Sequence, residues 1–297
     1  MSCYKIMLFI GINDMVAITV NSIITGYSLI VGVVYCAEPN FQYFAGAIGL
    51  ATWCSACLAC LILVFNRICA LWKPTLVEAI FGGNKAYFIM GFPLVYCMWF
   101  IFCTPPILFS SPREGWFLYP FFEDAQKFFT ESEWKKLQVV QDMVPYANLG
   151  MMANNILVVF LTVIFYIIFC LILLFKFYNK TSQKKTFAQK SIFYQSALIS
   201  AANLYTAAVY TYMQFFPVPA TMVFIGHAGC MFSHGFPAMV YLTVNRSIRM
   251  QVAGMLGFSK YGGRRISQFR STDQSMPSSD IRPDQIHPRF SQVDSAN

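Results

Sequence analysis

One carboxylate stands inside an apolar run. Asp14 is the sole charged residue between positions 6 and 35, and helical rise counted from Ile6 carries it about 12 Å into a bilayer. A carboxyl group at that depth is costly to hold and faces a bundle interior or water. Read from the residues alone, it is a neutral, protonated structural acid. The triplet Cys54-x-x-Cys57-x-x-Cys60 has the look of a metal signature. At helical spacing, with no acid or histidine close in sequence, it reads as small-residue packing. His227 and His234 read as bundle-lining or core residues rather than zinc ligands. The chain has no G-x-S-x-G, H-E-x-x-H or P-loop pattern, so an enzyme is not expected. No cofactor is expected either.

The elements that position these groups are membrane spans. Of 297 residues, 57% are hydrophobic and 11% charged, against about 25% charged in soluble domains. Residues 39–66 hold no Lys, Arg, Asp or Glu, enough for a spanning helix. Small residues along it (Ala45, Gly46, Gly49, Ala51, Ser55, Ala59) make it the central helix of a bundle. Further spans are expected at 6–35, 86–110 and 146–177. Residues 191–245 are again uncharged, and Pro217-Val218-Pro219 divides them into a fifth and a sixth.

Charge decides sidedness. The formal charge of +8 does not point to nucleic acid, because the basic residues fall in loops between spans. Lys5, Arg67, Lys73 and Lys85 lie on one side with Lys176, Lys180, Lys184, Lys185, Lys190 and the basic stretch after position 245. The opposite side is dominated by Glu114, Glu123, Asp124, Glu131, Glu133 and Asp142. The positive-inside rule then places both termini in the cytoplasm. The expected architecture is an all-α membrane protein of six spans, with a bundle over 1–258 and a disordered cytoplasmic tail over 259–297. No cleavable signal peptide is visible. Neither internal repeats nor a filter motif supports a transporter or channel, which stays the competing class for six spans.

Depth alone nominates pocket residues on the outer halves of the spans: Gln42, Trp53, Met152, Asn155, Tyr210, Gln214 and Phe224. In the long outer loop, Thr130-Glu131-Ser132-Glu133 matches a capping box, followed by Trp134, Leu137, Val140 and Val144 at helical spacing. A short amphipathic helix is expected there, as a lid over the bundle mouth or as a loop that packs down. Asn179-Lys180-Thr181 and Asn245-Arg246-Ser247 are glycosylation triplets on the cytoplasmic side and should go unused. Arg264-Arg265-Ile266-Ser267 suits a basophilic kinase, with Ser267 as acceptor.

Ordered short stretches run through most of the chain. They include Cys3-Tyr4-Lys5-Ile6-Met7, Asp14, Asn21-Ser22, Thr25-Gly26, Tyr35-Cys36 with Pro39, and Trp53 leading to Asn66-Arg67. Pro145-Tyr146-Ala147-Asn148, Met213-Gln214-Phe215-Phe216 and His234-Gly235-Phe236-Pro237-Ala238 follow, then Tyr241-Leu242, Asn245 and Ile248-Arg249. Together they resemble the nematode class T serpentine chemoreceptors, a divergent family of G-protein-coupled receptors. The resemblance implies a seven-helix bundle whose second to seventh helices match the six spans here, the first being absent from this sequence. It also implies a small-molecule ligand between the helices, a heterotrimeric G protein at the cytoplasmic face, and multi-pass residence in a plasma membrane, such as that of a sensory cilium. A truncated, non-signalling receptor is the other reading of the missing span.

Site roles follow from the same resemblance. Asp14 becomes a switch residue, with Asn13, Asn21 and groups near 233–245 as partners. Asn66-Arg67 resembles the arginine motif that ends the third span of rhodopsin-like receptors, with Asn in place of the acid. That Asn cannot form the usual salt bridge, so either the resting clamp differs or Arg67 reaches headgroups. Pro237 and Tyr241 resemble the proline–tyrosine motif of the last span, one residue out of register. The Trp-and-Pro toggle of rhodopsin-like receptors has no counterpart. Cys36 stands where many receptors tether the outer loop. Cys103 is its candidate disulfide partner, the alternative being two free thiols.

Overall fold

The computed structural model describes residues 2–33, 35, 37–117, 131, 132, 135, 148–178, 183–216 and 219–257. These form helices joined by short turns and one small hairpin. Helix α1 (Ser2–Ile18) passes through a π-helical segment, Thr19–Ile24, into α2 (Thr25–Val31), and Gly32 in the left-handed region at φ 71° stops it. Only glycine takes that conformation without a Cβ penalty. Helix α3 (Pro39–Trp72) starts on a proline at its first turn and ends before Lys73-Pro74. Proline suits a first helical position and disfavours helix in the residue before it.

The remaining helices are α4 (Pro74–Phe81), α5 (Lys85–Cys103), α6 (Leu149–Tyr178), α7 (Gln183–Phe215), α8 (Ala220–Val244) and α9 (Arg246–Met255). Contacts divide the chain into two units, 1–246 and 247–297. Within the first, α3 packs against α1, α5, α6 and α7. Helices α6 with α7, α7 with α8, and α8 with α1 close the ring around it.

Small side chains bring α3 this close to its neighbours. Ala51, Cys54, Ala56, Cys57 and Ala59 are all buried on it. Cys54, Cys57 and Cys60 of the triplet are buried on this helix, and no cluster of potential metal ligands occurs among the described residues. Leu50, Trp53, Phe100, Met151, Val158, Ala207 and Cys230 form the main core, joining α3, α5, α6, α7 and α8. Val64, Ile68, Leu71, Phe169 and Ile172 form a second core towards the Arg67 end.

The outward faces are apolar as well. Leu8, Ile12, Ile30, Phe88, Phe92, Phe102, Phe160 and Leu171 are exposed. An apolar exterior of this extent marks a membrane surface. Among the described residues, four stretches are long and apolar enough to cross a bilayer: Ser2–Val31, Pro39–Trp72, Lys85–Cys103 and Leu149–Phe175. Helices α7 and α8 occupy the places expected for spans five and six without joining that group. They carry Asn203, Thr206, His227, Ser233 and His234, all buried inside the bundle. Polar groups turned inward lower the mean hydropathy of a helix while leaving its outer face apolar.

Two local features depart from expectation. The basic connection after α3 contains a helical turn pair, α4. The start of the long polar loop is a β-hairpin, β1 (Leu108–Ser110) antiparallel to β2 (Gly115–Phe117), with Phe109 opposite Trp116. The turn between them includes Glu114 at φ 54°. Phe109 and Trp116 bury themselves on the π-helical segment and α3 beside Val20 and Ala45. Gly46 allows this approach: a Cβ at that position would stand 1.7 Å from the Ile107 carbonyl oxygen. Of the expected lid helix over 130–144, Glu131, Ser132 and Lys135 are described and helical. Lys135 pairs with Glu131 at 3.5 Å; the rest lies outside the described residues.

Candidate functional site

The site begins with a cavity of about 310 Å³ at the hairpin end of the bundle. Its walls are aromatic and sulfur-rich: Trp53, Trp116, Phe117 and Tyr210, with Met151, Met152 and Met213. Asn21, Asn148 and His227 also border it, and among the described residues no Asp, Glu, Lys or Arg does. Several of the polar groups there are set by a local device. Trp116 Nε1 donates to Thr25 Oγ1 at 2.8 Å, fixing the hairpin on α2. Asn148 caps α6 by accepting from the Met151 amide at 2.8 Å, and its Nδ2 donates to the Pro105 carbonyl at 2.7 Å. His227 Nε2 donates to the Asn21 carbonyl at 3.1 Å. That carbonyl belongs to the π-helical segment, whose widened turn changes the normal ladder. Thr25 Oγ1 takes the Val20 carbonyl in the same segment at 3.1 Å.

A polar chain descends from the cavity through Trp53. Its indole N–H donates to Asn155 Oδ1 at 3.0 Å, and Asn154 Nδ2 donates to the same oxygen at 3.2 Å. Tyr96 in turn donates to Asn154. The Trp53 ring also meets the ring of His234 edge-on, 5.8 Å between centroids and 84° apart. His234 Nδ1 lies 2.8 Å from Asp14 Oδ1, a hydrogen bond linking α8 to α1. Next to Asp14, Asn13 Nδ2 donates to the Thr52 carbonyl at 2.8 Å, linking α1 to α3. A wall of the cavity thus touches the group that holds the buried carboxyl. The acid and base give each other a hydrogen bond away from water, although His234 Nε2 has no partner among the described residues.

At the other end, Asn66 Nδ2 donates to Ser2 Oγ at 3.1 Å, tying α3 to the start of α1. Arg67 Nη2 approaches Met7 Sδ at 3.8 Å, while its Nε is buried without a partner. The Tyr241 hydroxyl is likewise buried and unpartnered. No carboxylate pairs with Arg67 among the described residues. Contacts to α1 stand where an acid–arginine clamp would be. Pro237 is buried inside α8, where its missing N–H frees the Ser233 carbonyl.

The structure brings some of the nominated residues together and separates others. Trp53, Met152 and Tyr210 border the cavity, and Asn155 lies directly beneath Trp53. Gln42 is fully buried towards α2, its Nε2 donating to Ser28 Oγ at 3.3 Å, away from the cavity. Phe224 is 53% exposed on the outer face of α8 and is not part of the cavity wall. Depth from the sequence puts it at the right level but does not fix which way the helix turns it. The Gln214 side chain, Cys36 and Ser267 lie outside the described residues. Cys103 is an exposed thiol at the end of α5, and its bridge to Cys36 stays an expectation. Trp116 was not foreseen. The apolar pairs Leu108-Phe109 and Trp116-Phe117 around a Ser-Pro-Arg-Glu-Gly turn carry the hairpin signal that would have found it.

A family model described as the serpentine type 7TM GPCR chemoreceptor Srt matches residues 1–265. A Caenorhabditis elegans protein named Serpentine receptor class T-55 is 22% identical over 254 residues. The match covers 85% of this chain and 65% of that relative's length. No solved structure matches the chain.

Proposed function

The chain belongs to the Srt family of serpentine-type chemoreceptors, and from that premise we propose that it is a G-protein-coupled receptor for a small molecule bound in the cavity at the hairpin end. The reading has six spans with both termini in the cytoplasm, in a plasma membrane, so the hairpin faces outward. A ligand against Trp53 presses on His234 and biases the Asp14–His234 bond. That bond joins α1 to α8, and α1 is also tied to Asn66 and Arg67 of α3. Displacing it repacks the Arg67 end, where a G protein would dock. A ligand shifts such an equilibrium only through different affinities for the two packings, and helix shifts of this kind are a known repertoire.

The observation that carries this is the position of Trp53, one face in the cavity and one edge on His234. The test is nucleotide exchange on a panel of heterotrimeric G proteins in membranes containing the chain, against volatile and soluble compounds. A receptor gives compound-dependent exchange. Compound uptake into vesicles without exchange would assign a transporter instead.

A further inference from the structure

The cavity at the hairpin end has an unused hydrogen-bonding group. Asn21 borders it and is 4% exposed, yet its Nδ2 has no partner among the described residues. The backbone around it is fully engaged: the Asn21 carbonyl accepts from His227, and the carbonyl of Val20 accepts from Thr25. Gly49 on α3 leaves room for this side chain. A Cβ there would stand 3.0 Å from Val20 Cγ1 and 3.7 Å from Asn21 Oδ1. A buried amide with no partner is destabilising, and such a group calls for something that completes it.

The rest of the wall says what that something is. Three other donors on the wall are committed, Trp53 to Asn155, Trp116 to Thr25 and Asn148 to the Pro105 carbonyl, and the Tyr210 hydroxyl bonds with Cys230. His227 gives its Nε2 hydrogen to the Asn21 carbonyl, leaving Nδ1 of the neutral ring as an acceptor. Among the described residues the wall carries no Asp, Glu, Lys or Arg, so a carboxylate or ammonium meets no fixed counter-charge from them, which is costly in an apolar site. At about 310 Å³ the cavity is at the small end of ligand sites, and its aromatic walls favour flat apolar surface.

We propose that the ligand is a small uncharged, mainly apolar molecule with one oxygen acceptor, such as a ketone or ester, and that Asn21 Nδ2 donates to that oxygen. This rests on the receptor reading for its consequence but not for its test. The full chain in nanodiscs is titrated with butyrophenone, butylbenzene, phenylbutyrate and phenylbutylamine, and binding is read by thermal shift and competition. Butyrophenone binds about tenfold tighter than butylbenzene, and the two charged compounds do not bind. Asn21→Leu abolishes the preference of ketone over hydrocarbon while butylbenzene binding persists. Asn21→Asp keeps the shape of the side chain and admits phenylbutylamine.

Phenylbutyrate binding as tightly as the ketone would overturn the proposal and assign the site to His227. So would a ketone preference that survives Asn21→Leu, or phenylbutylamine still excluded from folded Asn21→Asp. The two readings fail separately. Exchange driven only by charged compounds sinks this ligand class and leaves the receptor. Ketone binding with no exchange on any G protein sinks the receptor and leaves the ligand class.

Discussion

At the residue scale, the Asp14–His234 pair shows how a polar group survives inside an apolar bundle. The 2.8 Å bond gives the carboxyl and His234 Nδ1 a partner each, while His234 Nε2 has none among the described residues, so removing either residue strands the other further. Asp14→Leu and His234→Phe should each destabilise the bundle by about 1–3 kcal/mol. The double variant should cost less than their sum, because two apolar groups can pack where two polar ones bonded. Denaturation of the four proteins in nanodiscs measures this as a coupling above about 1 kcal/mol; additive losses would mean that the pair does not act as a unit. Asp14 could be recognised from sequence as an intramembrane acid needing a partner. His234 could only be placed among groups near 233–245, since helix rotation decides which of them faces inward.

At the element scale, the hairpin depends on one glycine. With the Ile107 carbonyl 1.7 Å from a would-be Cβ, Gly46→Val must push β1 and β2 off α3. That change should lower ligand binding at least tenfold, read by the same thermal-shift titration. Gly26→Ala is the control, since nothing lies within 4 Å of its Cβ position. It should be neutral or stabilising by up to about 1 kcal/mol; equal effects at both sites would contradict the assigned role of Gly46. Trp116→Phe keeps the packing against Phe109 but loses the bond to Thr25, and should cost about 1 kcal/mol in the same melt.

Legibility divided at this scale. Uncharged runs and prolines marked where α3, α5, α6, α7 and α8 lie, because length and helix-breaking chemistry are local, but α5 stops at Cys103 rather than at 110 and α7 starts at Gln183 rather than near 191. The π-helical turn of Thr19–Ile24 and the hairpin were not foreseen. Both depend on tertiary partners, His227 and Gly46, distant in sequence. Phe224 and Gln42 were misplaced relative to the cavity for the same reason: depth is countable along a helix, but its facing is set by its neighbours.

At the scale of the whole molecule, four helices among the described residues qualify as spans by length and apolar composition, while α7 and α8 hold their polar groups inside. The proposal of six spans therefore makes a sidedness prediction. An epitope inserted between positions 123 and 133 should be reached by antibody on intact cells, and one at the C-terminal end only after permeabilisation. The reverse pattern would put the hairpin cavity in the cytoplasm. Glycan on Asn179 or Asn245 would argue the same way.

The central claim is that the cavity speaks to the Arg67 end through Trp53, His234 and Asp14. Agonist-dependent nucleotide exchange on a purified G protein, measured beside ligand binding for wild type and for the Asp14→Leu/His234→Phe double variant, tests it most directly. The account predicts a folded double variant that binds ligand within a fewfold of wild type and no longer stimulates exchange. Full stimulation by that variant would contradict it.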